Sequence, residues 1–399
     1  MKVNSAFASL YVFVALAMFL SDTAAALAQE GPGPRPVRKD SVADEETEET
    51  TERTARQPAE PAVEPEPEAA EADGDTLIRR AYAMTSGAKL PDELTQVIEL
   101  CEQGLAAGAS PENSEYGRKL MAWSHNRRGE LYAADGREED AFAEFSLAAS
   151  LDPNLWRAVH NRGVSYAQMG KQKEALADFN RTLQLNSNYS NAWFNRGELR
   201  YEQGDFVGAI QDYTQAVRLR PRDAGAYNSR GHAYYRLGRT REAMTDYDQA
   251  VRLNPKDAAI LTNRGDAYAH QGLYAQAAQD FREAIKLNDQ LGRAYQSAAW
   301  LMSTCPDARF RNAQLGLESA RKAIELDGEN DFRYLETLAA AMANNSMFDE
   351  ALEAQAKVAA IAPESETARA QRRIELYKAG RAYREGGART QQARQLRYR

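Results

Sequence analysis

The sequence predicts an all-α solenoid of stacked helix pairs, and three periodic features of the chain predict it. Two glycine series repeat every 34 residues: Gly129, Gly163, Gly197, Gly231 and Gly265, then Gly136, Gly170, Gly204, Gly238 and Gly272. An alanine series keeps the same step: Ala141, Ala175, Ala209, Ala243 and Ala277. So does an aromatic series: Phe145, Phe179, Tyr213, Tyr247 and Phe281. Self-similarity at one fixed period is the signature of a repeat array.

Each 34-residue unit is predicted to hold two helices, A and B. Apolar and aromatic residues at helical spacing fill the first dozen residues of a unit, which predicts helix A. The second glycine then ends helix A, because a C′ residue needs a positive φ that glycine adopts without strain. Helix B follows, and Pro153, Pro221 and Pro255 close three of the units because proline cannot continue a helix. The first glycine and the alanine are small, which allows helices A and B to approach closely.

The unit that contains the triplet Asn195-Arg196-Gly197 resembles the tetratricopeptide repeat family. The resemblance rests on the following residues: Trp193, Gly197, Gly204, Ala209, Tyr213, Ala216 and Pro221. It covers five regular units, 122–155, 156–189, 190–223, 224–257 and 258–291, and two degenerate ones, 292–331 and 332–365. The resemblance implies a right-handed superhelix whose A helices line the concave side, and a protein or peptide as the partner.

The N-terminal segments predict export. Lys2, the apolar run 7–20 and the small residues that end at Ala28 have the layout of a secretory signal peptide. Cleavage is expected after Ala28, which would place the mature chain in the periplasm or outside the cell; the alternative is an uncleaved membrane anchor. Residues 29–75 are rich in Pro, Glu and Ala, with fourteen acidic residues from position 40 to position 75. This composition predicts a disordered acidic linker.

The segments that flank the array are less regular. Residues 76–121 are predicted to form an atypical N-terminal helix pair and a lead-in, and 366–385 a capping helix whose polar face shields the last unit. Residues 386–399 form a basic tail that could hold an anionic polymer, fold back on the acidic linker or simply aid solubility; export makes nucleic acid the least expected partner. Cys101 and Cys305 lie several units apart and are predicted to be unpaired thiols.

An arginine series and an acidic series run through the regular units, and each acid follows its arginine by sixteen residues. This spacing predicts planar, bidentate bridges between helices A and B. The alternative is a ladder of arginines that binds phosphate or carboxylate groups. The predicted pairs are Arg128 with Glu144, Arg162 with Asp178, Arg196 with Asp212, Arg230 with Asp246, and Arg264 with Asp280.

Asparagine at the sixth position of helix A points to a ligand. Asn161, Asn195 and Asn263 resemble the asparagine ladder of O-linked N-acetylglucosamine transferase, whose amides pair with the backbone of a bound peptide. An amide offers a donor and an acceptor, as a peptide group does. The alternative is that these amides are solvated or cap neighbouring helices. The predicted concave-face residues are Arg127, Asn161, Phe194, Asn195, Glu198, Tyr201, Asn228, His232, Tyr235, Asn263 and Asp266.

The sequence contains no phosphate-binding loop, dinucleotide fingerprint, nucleophile elbow or metalloprotease helix motif. We therefore predict no catalytic residue, cofactor or metal. A net charge of −8 favours solubility but indicates no particular partner, and oligomeric state is not predicted. The chain is predicted to be a non-catalytic scaffold of the cell envelope that binds an extended segment in its concave groove. The alternatives are an accessory subunit of an envelope peptidase or glycosyltransferase, and an enzyme whose site the sequence does not reveal.

Overall fold

The computed structural model describes residues 73–386, and these residues form helices and connecting loops without any strand. They follow the expected α-solenoid of helix pairs. The chain divides into two compact units, Met1–Leu199 and Arg200–Arg399, which are taken in turn. The signal peptide 1–28, most of the linker (29–72) and nearly all of the basic tail (387–399) lie outside the described residues. Between residues 73 and 386, no helix has the length and apolar character needed to cross a bilayer.

The first unit contains helices that pack consecutively from α1 to α6, and α3 also contacts α5. An A helix thus meets its own B helix and the next A helix. The helices are α1 (Gly74–Thr85), α2 (Pro91–Ala106), α3 (Pro111–Ala134), α4 (Glu138–Leu151), α5 (Trp156–Gln168), α6 (Gln172–Leu185) and α7 (Ser190–Glu202), whose last three residues belong to the second unit.

The second unit repeats this arrangement: α9 contacts α11, α11 contacts α13, and α13 contacts α15. Its helices are α8 (Phe206–Leu219), α9 (Ala224–Arg236), α10 (Thr240–Leu253), α11 (Ala258–His270), α12 (Tyr274–Leu287), α13 (Gly292–Thr304), α14 (Ala313–Asp327), α15 (Phe332–Asn344), α16 (Phe348–Ile361) and α17 (Thr367–Lys378). Short 3₁₀ turns lie at Ala308–Phe310 and Glu364–Glu366.

The periodic residues take the structural roles expected of them. All five alanines of the series are fully buried, and the five aromatic residues are at most 4% exposed. A Cβ atom at Gly265 would lie 2.5 Å from Cε1 of Phe281, so this position admits only glycine without movement of the ring. Gly272 ends α11 with φ at 79°. Helices A and B therefore approach closely because the first glycine lacks a side chain, and the chain turns because the second accepts a positive φ.

Two boundaries near the N-terminus differ from the prediction. The linker ends earlier than residue 75, because the Asp73 carboxylate accepts a hydrogen bond from the Thr76 N–H at 2.7 Å and starts α1 at Gly74. Asp75 already belongs to the fold, since its carboxylate accepts a hydrogen bond from the Ser110 N–H at 2.7 Å. The lead-in to the first regular unit is helical, and it is continuous with helix A in the 24-residue α3.

Two features near the C-terminus also differ. The capping helix ends at Lys378 rather than at 385, because Gly380 takes a φ of 64° and the Arg381 N–H closes the helix on Leu376 O. In unit 332–365, Ser346 stands where the regular units have their second glycine, and its φ is 64°. Cys101 and Cys305 are both free and buried.

Candidate peptide-binding surface

Four of the five predicted arginine–carboxylate pairs are bidentate bridges between helices A and B. The Arg230 guanidinium donates from Nε and Nη2 to the two Asp246 oxygens at 2.7 Å each. This hydrogen bonding raises the pKa of Arg230. The other three bridges have distances of 2.8–2.9 Å: Arg128 with Glu144, Arg162 with Asp178, and Arg264 with Asp280. These contacts support the structural role of the series rather than a ligand ladder.

The fifth predicted pair is Arg196 with Asp212. Arg196 lies in the first compact unit and Asp212 in the second, and this pair stays a prediction. Within the first unit, Arg196 donates from Nη1 to Asn180 Oδ1 at 2.7 Å. Within the second unit, Arg200 donates from Nη1 to Asp212 Oδ2 at 2.8 Å.

In two of the four bridges, the remaining guanidinium nitrogen contacts the B helix of the preceding repeat unit. Arg230 Nη1 lies 3.3 Å from Thr214 Oγ1, and Arg264 Nη1 lies 3.1 Å from Asp248 Oδ1. Asn180, Thr214 and Asp248 are 34 residues apart, so the sequence contains a second polar series with the same period. An arginine such as Arg230 therefore joins three helices: its own A helix, the B helix of the same repeat unit and the B helix of the preceding repeat unit.

In the first compact unit, the side chain of the asparagine at the sixth position of helix A donates a hydrogen bond to the side chain at the fifth position of the preceding A helix. Asn161 Nδ2 donates to Asn126 Oδ1 at 3.0 Å, and Asn195 Nδ2 donates to His160 Nε2 at 3.1 Å. Burial lowers the pKa of His160 to about 4, so its ring is neutral at pH 7 and can accept this bond. The amides therefore join successive A helices.

The same pairing recurs in the second unit and corrects part of the predicted contact surface. Asn263 Nδ2 donates to Asn228 Oδ1 at 3.0 Å, and the two residues are 3% and 7% exposed. Phe194, in the first unit, is 7% exposed. The fifth and sixth positions of helix A face the neighbouring A helix, so these three side chains are interior residues rather than exposed ligand contacts.

The other predicted contact residues are half-buried. In the first unit, Arg127 lies on α3 and donates to Glu130 Oε2 at 2.9 Å, whereas Glu198 lies on α7.

In the second unit, Tyr201, His232, Tyr235 and Asp266 lie on α7, α9 and α11 and define what we call the polar–aromatic face. The Tyr201 hydroxyl lies 3.4 Å from each His232 ring nitrogen, and the Tyr235 ring lies 5.5 Å from that of His270.

Cationic side chains accompany the polar–aromatic face. Arg236 Nη1 donates to the Tyr201 hydroxyl at 3.1 Å, and Arg293 forms an ion pair with Asp266 at 3.1 Å. Desolvation lowers the pKa of His232 to about 3, and nearby arginines contribute to the shift. The face therefore offers a neutral imidazole, hydroxyls and one ion pair. Among residues 73–386, no group of three or more His, Cys, Asp or Glu residues is arranged to hold a metal ion.

Several solved structures resemble the chain at low sequence identity. PilF of Pseudomonas aeruginosa is 19% identical, with 56% of this chain and 99% of that one covered and a TM-score of 0.48. A tetratricopeptide repeat protein from Parabacteroides merdae is 19% identical, with 67% and 98% covered and a TM-score of 0.45. MamA of Desulfovibrio magneticus is 21% identical, with 42% and 95% covered and a TM-score of 0.39. No curated protein matches the sequence.

The repeats themselves match known families. Residues 165–204 and 197–238 match the family described as TPR repeat, and 228–295 match the family described as tetratricopeptide repeat. Residues 165–295 therefore carry tetratricopeptide repeats. Such repeats generally act as scaffolds that bind proteins or peptides, and the fold is typically non-catalytic.

Proposed function

We propose that this chain is a non-catalytic scaffold of the cell envelope that binds an extended protein segment along its A helices. The observation that carries the proposal is the polar–aromatic face, where Tyr201, His232, Tyr235 and Asp266 follow one another on three successive A helices. Rigid aromatic rings supply contact area at low entropic cost, and tyrosine is enriched in protein interfaces. Hydroxyl, imidazole and carboxylate groups can pair with the N–H and C=O groups of an extended chain.

The envelope location is supported by the sequence alone. The apolar run and small-residue end of residues 1–28 have the layout of a secretory signal, and the acidic residues 29–72 would then connect the repeats to the new N-terminus. N-terminal sequencing of the protein isolated from its host tests this proposal. A mature chain that starts at Gln29 supports export; a chain that keeps residues 1–28 and remains in the cytoplasm contradicts it.

The binding surface is tested with two matched pairs of substitutions in the second unit. Tyr235→Ala with Asp266→Ala removes an aromatic ring and a carboxylate from the polar–aromatic face. Arg239→Ala with Glu242→Ala removes an exposed ion pair at the start of α10, a B helix. Each protein is immobilised and exposed to an envelope extract, and captured proteins are quantified by mass spectrometry.

We expect the first pair of substitutions to reduce capture of the main partner by about tenfold or more, since buried aromatic contacts dominate interface energies. The α10 pair should leave capture unchanged. Equal capture by both variants, in proteins with native circular dichroism, would contradict binding at the A helices.

A further inference from the structure

Helix A of the degenerate unit 292–331 ends without the usual glycine turn. In the regular unit before it, the Gly272 N–H donates to Ala269 O at 3.0 Å and so satisfies a carbonyl near the end of α11. Pro306 occupies the equivalent position after α13 and has no N–H to donate. An N–H at this position would have donated to the carbonyl of Ser303. The end of α13 therefore needs donors from elsewhere, because unsatisfied carbonyls at a helix end are costly.

The chain's own residues 384 and 385 supply these donors. Arg384 Nη1 donates to Ser303 O at 2.9 Å, and the Glu385 N–H donates to Thr304 O at 2.9 Å. A positive side chain also suits the negative end of a helix dipole. The segment that follows the capping helix α17 thus reaches back across some eighty residues of sequence and completes α13.

Side-chain contacts hold the same segment. Trp300 Nε1 donates to Glu385 Oε1 at 3.0 Å, and Arg384 Nη2 donates to Asn344 Oδ1 at 2.8 Å. The Trp300 and Tyr383 rings lie 5.9 Å apart, and the Arg373 guanidinium lies over both, 4.6 Å from the centre of the Tyr383 ring. Arg373 is in turn fixed by an ion pair with Glu336.

These contacts define what we call the Trp300 site, which consists of Trp300, Ser303, Thr304, Asn344 and Arg373. Trp300 occupies the ninth position of its A helix, as His232 and Asp266 do in theirs. The site therefore occupies helix positions that correspond to those of the polar–aromatic face. The site is occupied by the non-helical segment 381–386, which contacts it through one aromatic, one basic and one acidic side chain.

We infer that the Trp300 site is a peptide-recognition site, filled in the free protein by Tyr383, Arg384 and Glu385, and that a partner segment with the same aromatic–basic–acidic order takes their place. The inference deepens the proposed function, since it names the kind of segment that the A helices bind. Exchange is feasible because Arg384 is exposed, Tyr383 and Glu385 are half-buried, and the segment follows a turn at Gly380. The short connection to α17 gives the resident segment a high effective concentration, so it masks the site from weak competitors.

The test uses the full chain and a fluorescein-labelled peptide with the sequence of residues 380–387, Gly-Arg-Ala-Tyr-Arg-Glu-Gly-Gly. Fluorescence anisotropy measures its binding to the wild type and to a released variant, Tyr383→Ala with Glu385→Ala. The matched control is Arg381→Ala, which changes an exposed residue of the same segment. Adding Trp300→Phe to the released variant removes the indole donor but keeps an aromatic ring.

We expect the released variant to bind the peptide at least about tenfold more tightly than the wild type or the Arg381→Ala control, because the resident competitor is lost. Trp300→Phe should weaken that binding. Equal affinity for wild type and released variant, or no binding to a released variant with native circular dichroism, would overturn the inference and leave the segment as a helix cap.

A second measurement needs no substitution. Excess unlabelled peptide should accelerate hydrogen exchange at the Glu385 amide of the wild type, because displacement breaks its bond to Thr304 O. Unchanged exchange at saturating peptide would overturn the inference. This test and the capture experiment use different residues, so the Trp300 site can fail while the polar–aromatic face stands, and the reverse.

Discussion

The Arg230–Asp246 bridge allows the structural role of the arginine series to be tested against an internal control. Asp246 keeps only 5% of its side-chain surface exposed and Arg230 16%, so Arg230→Met leaves a buried carboxylate without its guanidinium. Removal of one partner of a buried pair costs about 3–5 kcal/mol of unfolding free energy. Methionine retains much of the apolar stem of arginine, so the loss reports mainly on the charge.

Arg239→Met is the control in the same repeat unit. Arg239 pairs with Glu242, but the two side chains are 50% and 43% exposed. Exposed pairs of this kind contribute about 0–1 kcal/mol. We therefore expect the two arginine substitutions to differ in unfolding free energy by at least about 2 kcal/mol.

The assay is urea unfolding combined with amide hydrogen exchange. Repeat arrays can unfold in parts, so exchange within residues 224–257 shows whether the loss is local. Adding Asp246→Asn to Arg230→Met should restore a substantial part of the stability, because the stranded charge is gone. Equal losses for Arg230→Met and Arg239→Met, or no recovery in the double variant, would refute the bridge as the reason for the arginine series.

Three further substitutions test individual residues. Ser346→Gly should raise the unfolding free energy by about 1 kcal/mol, because Ser346 has a φ of 64° that glycine adopts freely. Ser346→Ala should give no such gain in the same urea titration. Gln355→Met should stabilise the protein by about 1–3 kcal/mol, because Gln355 is fully buried and its side-chain N and O have no hydrogen-bond partner within residues 73–386. A loss of stability would show that the amide is satisfied. Acidification from pH 7 to pH 5 should lower the unfolding free energy of the wild type by about 2 kcal/mol more than that of His160→Gln. The reason is that the unfolded histidine takes up a proton below about pH 6.5, whereas the folded one has a pKa of about 4. Parallel pH profiles for the two proteins would contradict a buried neutral His160.

The period of the sequence was sufficient to predict the repeated part of the fold. Residues that recur every 34 positions must share an environment, and glycine, alanine and aromatic residues have few alternatives at a tight helix crossing. The sixteen-residue offset between Arg230 and Asp246 was also informative, because it relates two helices of one unit. The period and this offset together predicted the bridge within a repeat unit.

Contacts between units were harder to predict. Asn263 pairs with Asn228 across 35 residues, so the partners occupy different positions of their A helices. A period shows which positions are equivalent, but not which of them face the next unit. The amides that resemble a ligand ladder thus hydrogen-bond neighbouring A helices in the described part of the chain.

The C-terminal segment carried no periodic signal at all. Arg384 and Glu385 reach a helix end some eighty residues earlier, and only the structure shows that Pro306 leaves that end in need of donors. Residues 384 and 385 were predicted to end the capping helix, whereas they lie beyond it and donate to backbone carbonyls of the same chain.

The central claim is that binding takes place on the side of helix A that carries Tyr235, and two adjacent tyrosines of α9 test it most directly. Tyr235 contacts His270 of the next A helix, whereas Tyr234 lies under the Arg239 guanidinium, 4.6 Å away, towards helix B. A photo-crosslinking phenylalanine derivative is placed at position 235 or 234 in otherwise unchanged chains, which are irradiated in envelope extract. We expect a crosslinked partner from position 235 and none from position 234; a partner captured equally or better from position 234 would contradict the account.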